Sequence, residues 1–146
     1  MDRRRMYMLL MEYYRYGDLT EIFAGWNKSL SISNARCIVR QISGALEYMH
    51  DKRIAHRDLK LENILVAGKI DEEHPHLSVR VADFGLSSID IQASFSRPGT
   101  RYTMAPEMLA SRNPYDPYPA DVWAVGVIGF CLMNANYPFA HGVTPR

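Results

Sequence analysis

Apolar residues recur every three or four positions between residues 35 and 49, and this is the clearest pattern in the chain. Such spacing is typical of an α-helix that buries one face. Ser33 precedes the repeat, and its hydroxyl is a candidate N-cap for the first turn. The sequence therefore predicts an amphipathic helix packed on a core. Its buried face comprises Ala35, Ile38, Val39, Ile42, Ala45, Leu46 and Met49.

Two shorter patterns predict strands. Residues 64–66 form an apolar run, and in residues 77–82 the apolar side chains of Leu77, Val79 and Val81 alternate with Ser, Arg and Ala. A two-residue period indicates a half-buried strand. The polar stretch 68–76 between them predicts a long hairpin loop, whereas residues 87–98 show no period and predict a loop.

Two further apolar segments lie near the ends of the chain. Residues 6–11 predict a buried strand that leads into a linker, after which Asp18 or Thr20 could cap a short helix reaching Phe23. Residues 120–133 are apolar on nearly every side, which predicts a helix buried inside a domain.

Composition limits the class of protein. A chain of 146 residues with 47% hydrophobic and 23% charged residues suits one soluble globular domain. The net charge of +1 argues against a dedicated nucleic-acid surface, and the longest apolar run is too short to span a membrane. Cys37 and Cys131 are too few for a zinc site or a disulfide framework. We expect both to be buried free thiols, which favours an intracellular compartment, cytoplasmic or nuclear.

Three motifs occur in a fixed order. They are His-Arg-Asp-Leu-Lys-Leu-Glu-Asn at 56–63, Asp-Phe-Gly at 83–85 and Ala-Pro-Glu at 105–107. Each motif alone is common, but the three in this order, with a strand pattern leading into the second, resemble the catalytic loop, metal-binding turn and substrate-loop anchor of eukaryotic protein kinases. Lys60, two residues after Asp58, resembles the serine/threonine branch. Asp18, Glu62 and the apolar helix 120–133 give the chain a calcium/calmodulin-dependent-like resemblance within that branch.

The resemblance assigns roles to several of these residues. Asp58 is the catalytic carboxylate, Lys60 stabilises the transferred phosphoryl group, and Asn63 and Asp83 hold Mg²⁺ through oxygen atoms. Thr100 ties Asp58 and Lys60 to the substrate loop. These residue types supply the hydroxyl-orienting carboxylate, the cation and the metal ligands that phosphoryl transfer requires.

The flanking segments resemble the nucleotide site of the same family. Met11 resembles the gatekeeper, the hinge follows it, and an acidic residue that contacts ribose has its counterpart in Asp18. The ATP-binding residues that the resemblance implies are Met11, Glu12, Tyr14, Asp18, Lys60, Glu62, Asn63 and Asp83. His56 resembles a packing residue, and Phe84 is expected beneath the site. Asp121 resembles the residue that binds the catalytic loop, although a helix N-terminal carboxylate is an alternative.

The implied fold class is α+β, mainly the α-helical C-terminal lobe of the protein-kinase-like fold with short β-hairpins, truncated at both ends. Residues 1–18 would be the last small-lobe strand and hinge, and residues 19–146 part of the large lobe. The sequence lacks a glycine-rich phosphate loop, a strand lysine and its glutamate partner. We therefore expect a fragment or degenerate copy with no more than trace activity on its own.

Two details depart from the family pattern. The arginine that pairs with the glutamate of Ala-Pro-Glu has no counterpart, which predicts that Glu107 is a buried, uncompensated charge. Residues 99–103 read Gly-Thr-Arg-Tyr-Thr where the family often has Gly-Thr-Pro-x-Tyr, so the tyrosine is displaced. This displacement concerns packing on the substrate side and leaves the phosphoryl chemistry untouched.

The resemblance implies a protein serine/threonine kinase catalytic region that uses ATP and Mg²⁺ on protein Ser/Thr hydroxyls. A protein substrate and an upstream activating kinase are the expected partners. Arg57 could clamp a phosphate on Ser96, with Ser94 and Ser88 as alternative phosphosites. Two other interpretations stay open: a pseudokinase or kinase-like interaction module without turnover, and a non-kinase helical domain in which the motifs are coincidental.

Overall fold

A computed structural model describes residues 8–21, 29–68, 77–89, 94–110 and 114–139 of the chain. Helices and two small antiparallel sheets give it an α+β architecture. In chain order the elements are α1 (Ile32–Asp51), β1 (Ile54–Ala55), a 3-10 helix (Leu61–Asn63), β2 (Ile64–Gly68), β3 (Ser78–Val81), β4 (Ser88–Ile89), α2 (Pro106–Ala110) and α3 (Pro117–Asn134).

Helix α1 has the predicted buried face but not the predicted cap. Ser31 is the N-cap, and its Oγ accepts a hydrogen bond from Asn34 N at 3.3 Å. Ser33 lies inside the first turn, so its assignment as cap was wrong by two residues. Either serine has the right chemistry, and only the extended backbone of Ser31 turns its hydroxyl toward the free N–H groups. Five of the seven predicted positions are buried, and Val39 and Ala45 are partly buried.

Helix α3 confirms the prediction for residues 120–133 and extends it at both ends. Asp116 caps it by accepting from Tyr118 N at 3.0 Å, and Pro117 occupies the first helical position, where no N–H is needed. The helix ends at Ala135, which adopts a left-handed conformation with φ 50°. In the described part of the chain, Val122, Phe130 and Met133 stay substantially exposed, so burial is not complete around the helix.

The two sheets are short antiparallel pairs. β2 pairs with β3 in the register Ile64↔Val81 and Val66↔Val79, which confirms both predicted strands. β1 pairs with β4, which corrects the prediction of a loop over the whole of 87–98. β4 has only two residues and pairs with a strand more than thirty positions away, so no local period could indicate it.

The N-terminal segment is not a strand where it is described. Among residues 8–11 no strand is formed, and Met8 is 96% exposed. A strand requires a hydrogen-bonding neighbour, which an apolar run does not itself provide. Asp18 does cap the helical residues 19–21, as predicted, because its Oδ1 accepts from Thr20 N at 2.7 Å. Phe23 and residues 69–76 lie outside the described residues.

One core unites α1, α3, β2 and β3. Ile38, Ile42, Ile64 and Ile128 are fully buried within it. Cys131 is buried there as predicted, but Cys37 is only partly buried because it lies at the edge of the apolar face of α1. Within the described ranges, no helix combines the length and apolar character needed to cross a membrane.

Candidate active site

The segment 56–63 connects β1 to β2 and is held by hydrogen bonds to a side chain of α3. Asp121 of α3 is 2% exposed and accepts hydrogen bonds from the backbone N–H groups of His56 and Arg57, both at 2.8 Å. His50 Nε2 lies 3.2 Å from the same carboxylate. α3 begins at Pro117, so Asp121 lies beyond its first turn. The contacts favour loop binding over a role as a helix N-terminal carboxylate.

Apolar side chains of the segment anchor it in the core while polar ones form the site. Leu59 and Leu61 belong to the main core. His56 is fully buried, its Nε2 lies 3.0 Å from Ala82 O, and its ring centroid lies 5.3 Å from that of Phe84. These contacts agree with a packing role for His56. Phe84 contacts that ring but remains half exposed.

Asp58, Lys60 and Thr100 form a closed polar cluster. Lys60 Nζ lies 3.1 Å from Asp58 Oδ2 and donates to Thr100 Oγ1 at 3.2 Å. Thr100 Oγ1 in turn donates to Asp58 Oδ1 at 3.0 Å. Thus the structure brings together three residues that are separated by up to 42 positions in the sequence. A mostly buried carboxylate beside a cation can accept a hydrogen bond from a substrate hydroxyl.

Asn63 joins this cluster to the end of β3. Its Nδ2 donates to the backbone oxygen of Asp58 at 2.8 Å, so its Oδ1 is the side-chain atom that remains for a metal ion. The backbone oxygen of Asn63 accepts from Ala82 N at 2.9 Å. Asp83 therefore directly follows a residue that is bonded to Asn63.

The donor set of Asn63 and Asp83 fits Mg²⁺. One amide oxygen and one carboxylate are oxygen ligands of the kind Mg²⁺ uses, with water and phosphate oxygens completing the octahedron. Asp83 is exposed, has φ 60°, and its Oδ1 accepts from Gly85 N at 3.2 Å. Among the described residues no group of three or more His, Cys, Asp or Glu side chains forms a metal cage. Magnesium bound by few protein ligands needs no such cage.

The sequence profile of the protein kinase domain matches residues 1–145. The chain belongs to the protein kinase domain family. Serine/threonine-protein kinase 1 of Heliothis zea nuclear polyhedrosis virus is 35% identical over 134 residues, covering 92% of this chain and 46% of the viral protein. Serine/threonine-protein kinase SAPK2 of Oryza sativa subsp. indica is 38% identical over 140 residues, covering 94% of this chain and 39% of the rice protein.

A third relative is NUAK family SNF1-like kinase 2 of Homo sapiens, which is 35% identical over 134 residues, covering 90% of this chain and 20% of the human protein. The chain thus spans less than half the length of each of these relatives. The helices and small antiparallel sheets agree with part of a protein-kinase-like fold.

The residues that resemble the nucleotide site of a kinase lie along residues 11–18 and at Glu62. Val66 N donates to Gly17 O at 2.9 Å, which attaches this segment to β2 just after Asn63. Tyr14 Oη donates to Glu12 Oε2 at 2.9 Å, and this hydrogen bond raises the pKa of Tyr14. In the described part of the chain, no hydrogen bond or ion pair joins Met11, Glu12, Tyr14, Asp18 or Glu62 to the Asp58 cluster.

Arg57 contacts two of the three predicted phosphosites. The Nη2 atom of Arg57 donates to Ser96 Oγ at 2.6 Å and lies 3.4 Å from Ser94 Oγ. Ser94 is 3% exposed and forms two backbone hydrogen bonds with Tyr115, at 2.9 and 3.1 Å. Of the predicted phosphosites, Ser96 alone combines an exposed position with a direct contact to Arg57, whereas Ser88 lies in β4.

The altered motif at 99–103 has a visible structural consequence. Thr103 is buried where the family often has tyrosine, and its Oγ1 donates to Thr100 O at 3.1 Å. Tyr102 turns outward instead, with its ring centroid 5.1 Å from that of Tyr137. Burial, and secondarily the charge of Glu62, raises the pKa of Tyr137 to about 12.

The prediction for Glu107 was wrong. This residue is exposed rather than buried, because it lies in the first turn of α2 on the side away from Ala105 and Met108, which are buried. An exposed carboxylate keeps its hydration and needs no cation.

Two further residues that support the site have no signal in the sequence. His50, in the last turn of α1, contacts the Asp121 carboxylate that binds the segment 56–63. Tyr115 pairs with Ser94. No local pattern indicates either contact, because both join positions far apart in the chain.

Proposed function

We propose that this chain is part of a protein serine/threonine kinase catalytic region, which transfers the γ-phosphoryl group of ATP to Ser or Thr hydroxyls of protein substrates. The observation that carries the proposal is the closed cluster of Asp58, Lys60 and Thr100, with Asn63 bonded to the backbone of Asp58. Membership of the protein kinase domain family and similarity to serine/threonine kinases support it.

Each residue has a proposed part in the reaction. Asp58 accepts a hydrogen bond from the substrate hydroxyl and orients its oxygen for attack on the phosphoryl group. Lys60 places a positive charge beside the migrating phosphoryl group, and Thr100 holds the Asp58 and Lys60 side chains in position through hydrogen bonds to both. Asn63 and Asp83 would hold Mg²⁺, which neutralises charge on the phosphate oxygens when bound.

We assign residues 1–18 to the segment that would form the last small-lobe strand and the hinge once a neighbouring strand pairs with it, and residues 19–146 to part of the large lobe. Met11, Glu12, Tyr14 and Asp18 then belong to the adenosine side of the ATP site. The hydrogen bond between Val66 and Gly17 supports this arrangement, since it holds the hinge beside the strand that leads from Asn63. The proposed similarity to calcium/calmodulin-dependent kinases rests in part on Asp18 and Glu62.

Regulation by an upstream kinase is part of the proposal. A phosphate on Ser96 carries close to two negative charges and accepts several hydrogen bonds. Arg57 already contacts the Ser96 hydroxyl and would form a charge-assisted pair with that phosphate. The proposed compartment is intracellular, either cytoplasmic or nuclear, which a partly buried and a buried free thiol favour.

The test separates chemistry from binding. Phosphate transfer from radiolabelled ATP to a Ser/Thr peptide library, and binding of Mg·ADP by calorimetry, are measured with this chain linked to the rest of its kinase domain, for wild type, Asp58→Asn, Asp83→Asn and the control Asp116→Asn. We expect Asp58→Asn to abolish transfer and keep binding, and Asp83→Asn to weaken binding that depends on Mg²⁺. Equal loss of nucleotide affinity in both variants, or transfer that survives Asp58→Asn, would refute the assigned roles.

The second candidate is a kinase-like interaction module without turnover. Exposed apolar side chains near the start of the described chain favour it, because apolar surface often marks a protein contact. Met8, Leu9, Leu10 and Tyr13 are each more than 80% exposed. Mg·ADP binding with no transfer by the wild-type chain, also when linked to the rest of its kinase domain, would support this candidate.

A further inference from the structure

Gln41 of α1 makes an unusual pair of contacts with the backbone of the β3 region. Its Nε2 donates to Leu77 O at 2.8 Å, and its Oε1 accepts from Val79 N at 3.0 Å. Nε2 also lies 3.3 Å from Cys37 O, one turn earlier in the helix. One side-chain amide thus binds two backbone groups that are 36 and 38 positions away in the sequence.

These contacts complete the free edge of a strand. In the described part of the chain, β3 pairs with a strand on one side alone, namely β2. Leu77 and Val79 are only 2% and 4% exposed, so the backbone groups that face Gln41 are largely shielded from solvent while the glutamine is in place. A glutamine amide offers the same donor and acceptor as a peptide group. Gln41 therefore takes the place of a third strand, and its loss would leave a buried donor and a buried acceptor without partners.

The strand that Gln41 fixes leads straight to the proposed metal site. Val79 is followed within four residues by Asp83. Between them Ala82 is held on both of its backbone groups, its N–H by Asn63 O at 2.9 Å and its oxygen by His56 Nε2 at 3.0 Å. A strand held at Val79 and again at Ala82 leaves little freedom for the position of Asp83.

We propose that Gln41 is a positioning residue for the metal site. By fixing the edge of β3, it places the Asp83 carboxylate beside the Asn63 amide oxygen so that both can bind one Mg²⁺ ion. The inference rests on the proposed function, because it assumes that Asn63 and Asp83 are metal ligands. Mutation of a residue that orients a metal-ligating side chain typically weakens metal affinity by about 10- to 100-fold.

Metal binding can be measured without catalysis. Mn²⁺ is titrated into the ¹⁵N-labelled chain, and paramagnetic broadening of the backbone amide signals of Asp83 and Gly85 gives the affinity. Gln41→Leu removes both hydrogen bonds at similar volume, whereas Gln41→Glu keeps the acceptor for Val79 N–H alone. Ile128→Val in α3 is the control, because it shortens a fully buried core side chain on another element and leaves both hydrogen bonds of Gln41 in place.

We expect Gln41→Leu to weaken Mn²⁺ binding about tenfold, Gln41→Glu to weaken it less, and Ile128→Val to leave it unchanged. Hydrogen exchange at Val79 N–H should accelerate in Gln41→Leu and stay slow in Gln41→Glu. Wild-type affinity in a folded Gln41→Leu variant would overturn the inference while leaving the metal site intact.

Two other results are also decisive. If Gln41→Leu does not fold, Gln41→Glu decides, and unchanged Mn²⁺ affinity in that variant overturns the positioning role. If the wild-type chain shows no broadening at Asp83, the assignment of the metal ligands fails first, and the role of Gln41 fails with it. A general loss of stability is excluded as the cause if Ile128→Val binds Mn²⁺ normally.

Discussion

The carboxylate of Asp121 is expected to be among the most sensitive groups in the molecule. It accepts from two backbone N–H groups at 2.8 Å, is approached by His50 Nε2 at 3.2 Å, and is 2% exposed. Asp121→Asn keeps its size but replaces one oxygen with an NH₂ group. Only one side-chain oxygen then remains for the backbone N–H groups of His56 and Arg57. The new NH₂ group faces the other N–H, and two donors cannot form a hydrogen bond.

The expected cost follows from these contacts. A hydrogen bond to a charged group contributes about 1.5–3 kcal/mol, and a buried N–H left without a partner costs about 1–3 kcal/mol. We therefore expect Asp121→Asn to lower the free energy of unfolding by about 3–5 kcal/mol. With a urea slope of about 2 kcal/mol per molar, the midpoint should fall by about 2 M.

Urea unfolding followed by tryptophan fluorescence, to which Trp123 contributes from its position against the core, measures this shift. Asp116→Asn is the matched control, because it makes the same chemical change at the exposed N-cap of α3, where Asn and Asp are equivalent. A loss below about 1 kcal/mol in Asp121→Asn would show that the carboxylate does not hold the loop through buried charge-assisted hydrogen bonds.

Three further changes test other parts of the structure. Gly99→Ala should destabilise the chain by more than about 1 kcal/mol in urea unfolding. Gly99 has φ 113°, and an added Cβ would lie 2.7 Å from Arg57 O. An unchanged urea midpoint would contradict this prediction. Ser96→Ala in the complete kinase should lower activity and remove the main phosphopeptide in mass spectrometry, and full activity would leave Arg57 a structural residue. Burial raises the pKa of the Cys131 thiol from 9.0 to about 11, so the folded state binds its proton more tightly than the unfolded state. This contribution is intact below pH 9 and lost as the pH rises to 11, so urea midpoints should fall less over that range in Cys131→Ala than in wild type.

Local periodicity predicted the elements that bury a face of their own. Helix α1 and the pair β2–β3 follow from the spacing of apolar residues, since each period matches one backbone geometry. β4 could not be found in this way, because its two residues are a strand only in contact with β1. The choice between Ser31 and Ser33 as N-cap depended on a backbone angle and not on side-chain chemistry.

In the site, too, some residues could be predicted from the sequence and others could not. Asp58, Lys60, Asn63, Thr100 and Asp83 could be named from motifs, and the structure joins the first four directly by hydrogen bonds. The residues that support the site could not be named. Gln41 and His50 look like ordinary polar positions on a helix, and their importance lies in partners more than thirty positions away. Glu107 was predicted wrongly because a motif does not specify which way a short helix turns its side chains.

Leu59 and Leu61 make the segment 56–63 part of the core, and this has a consequence for its motion. A surface loop usually opens on its own, on a timescale far shorter than that of unfolding. Here the loop cannot move outward without withdrawing two leucines from the core that α1 and α3 share. Its backbone amides should therefore exchange with solvent only as slowly as those of the helices. The rate at which this segment opens is then the rate at which the whole domain unfolds. Mutations deep in the core should therefore alter the rate at which Asp58 is displaced.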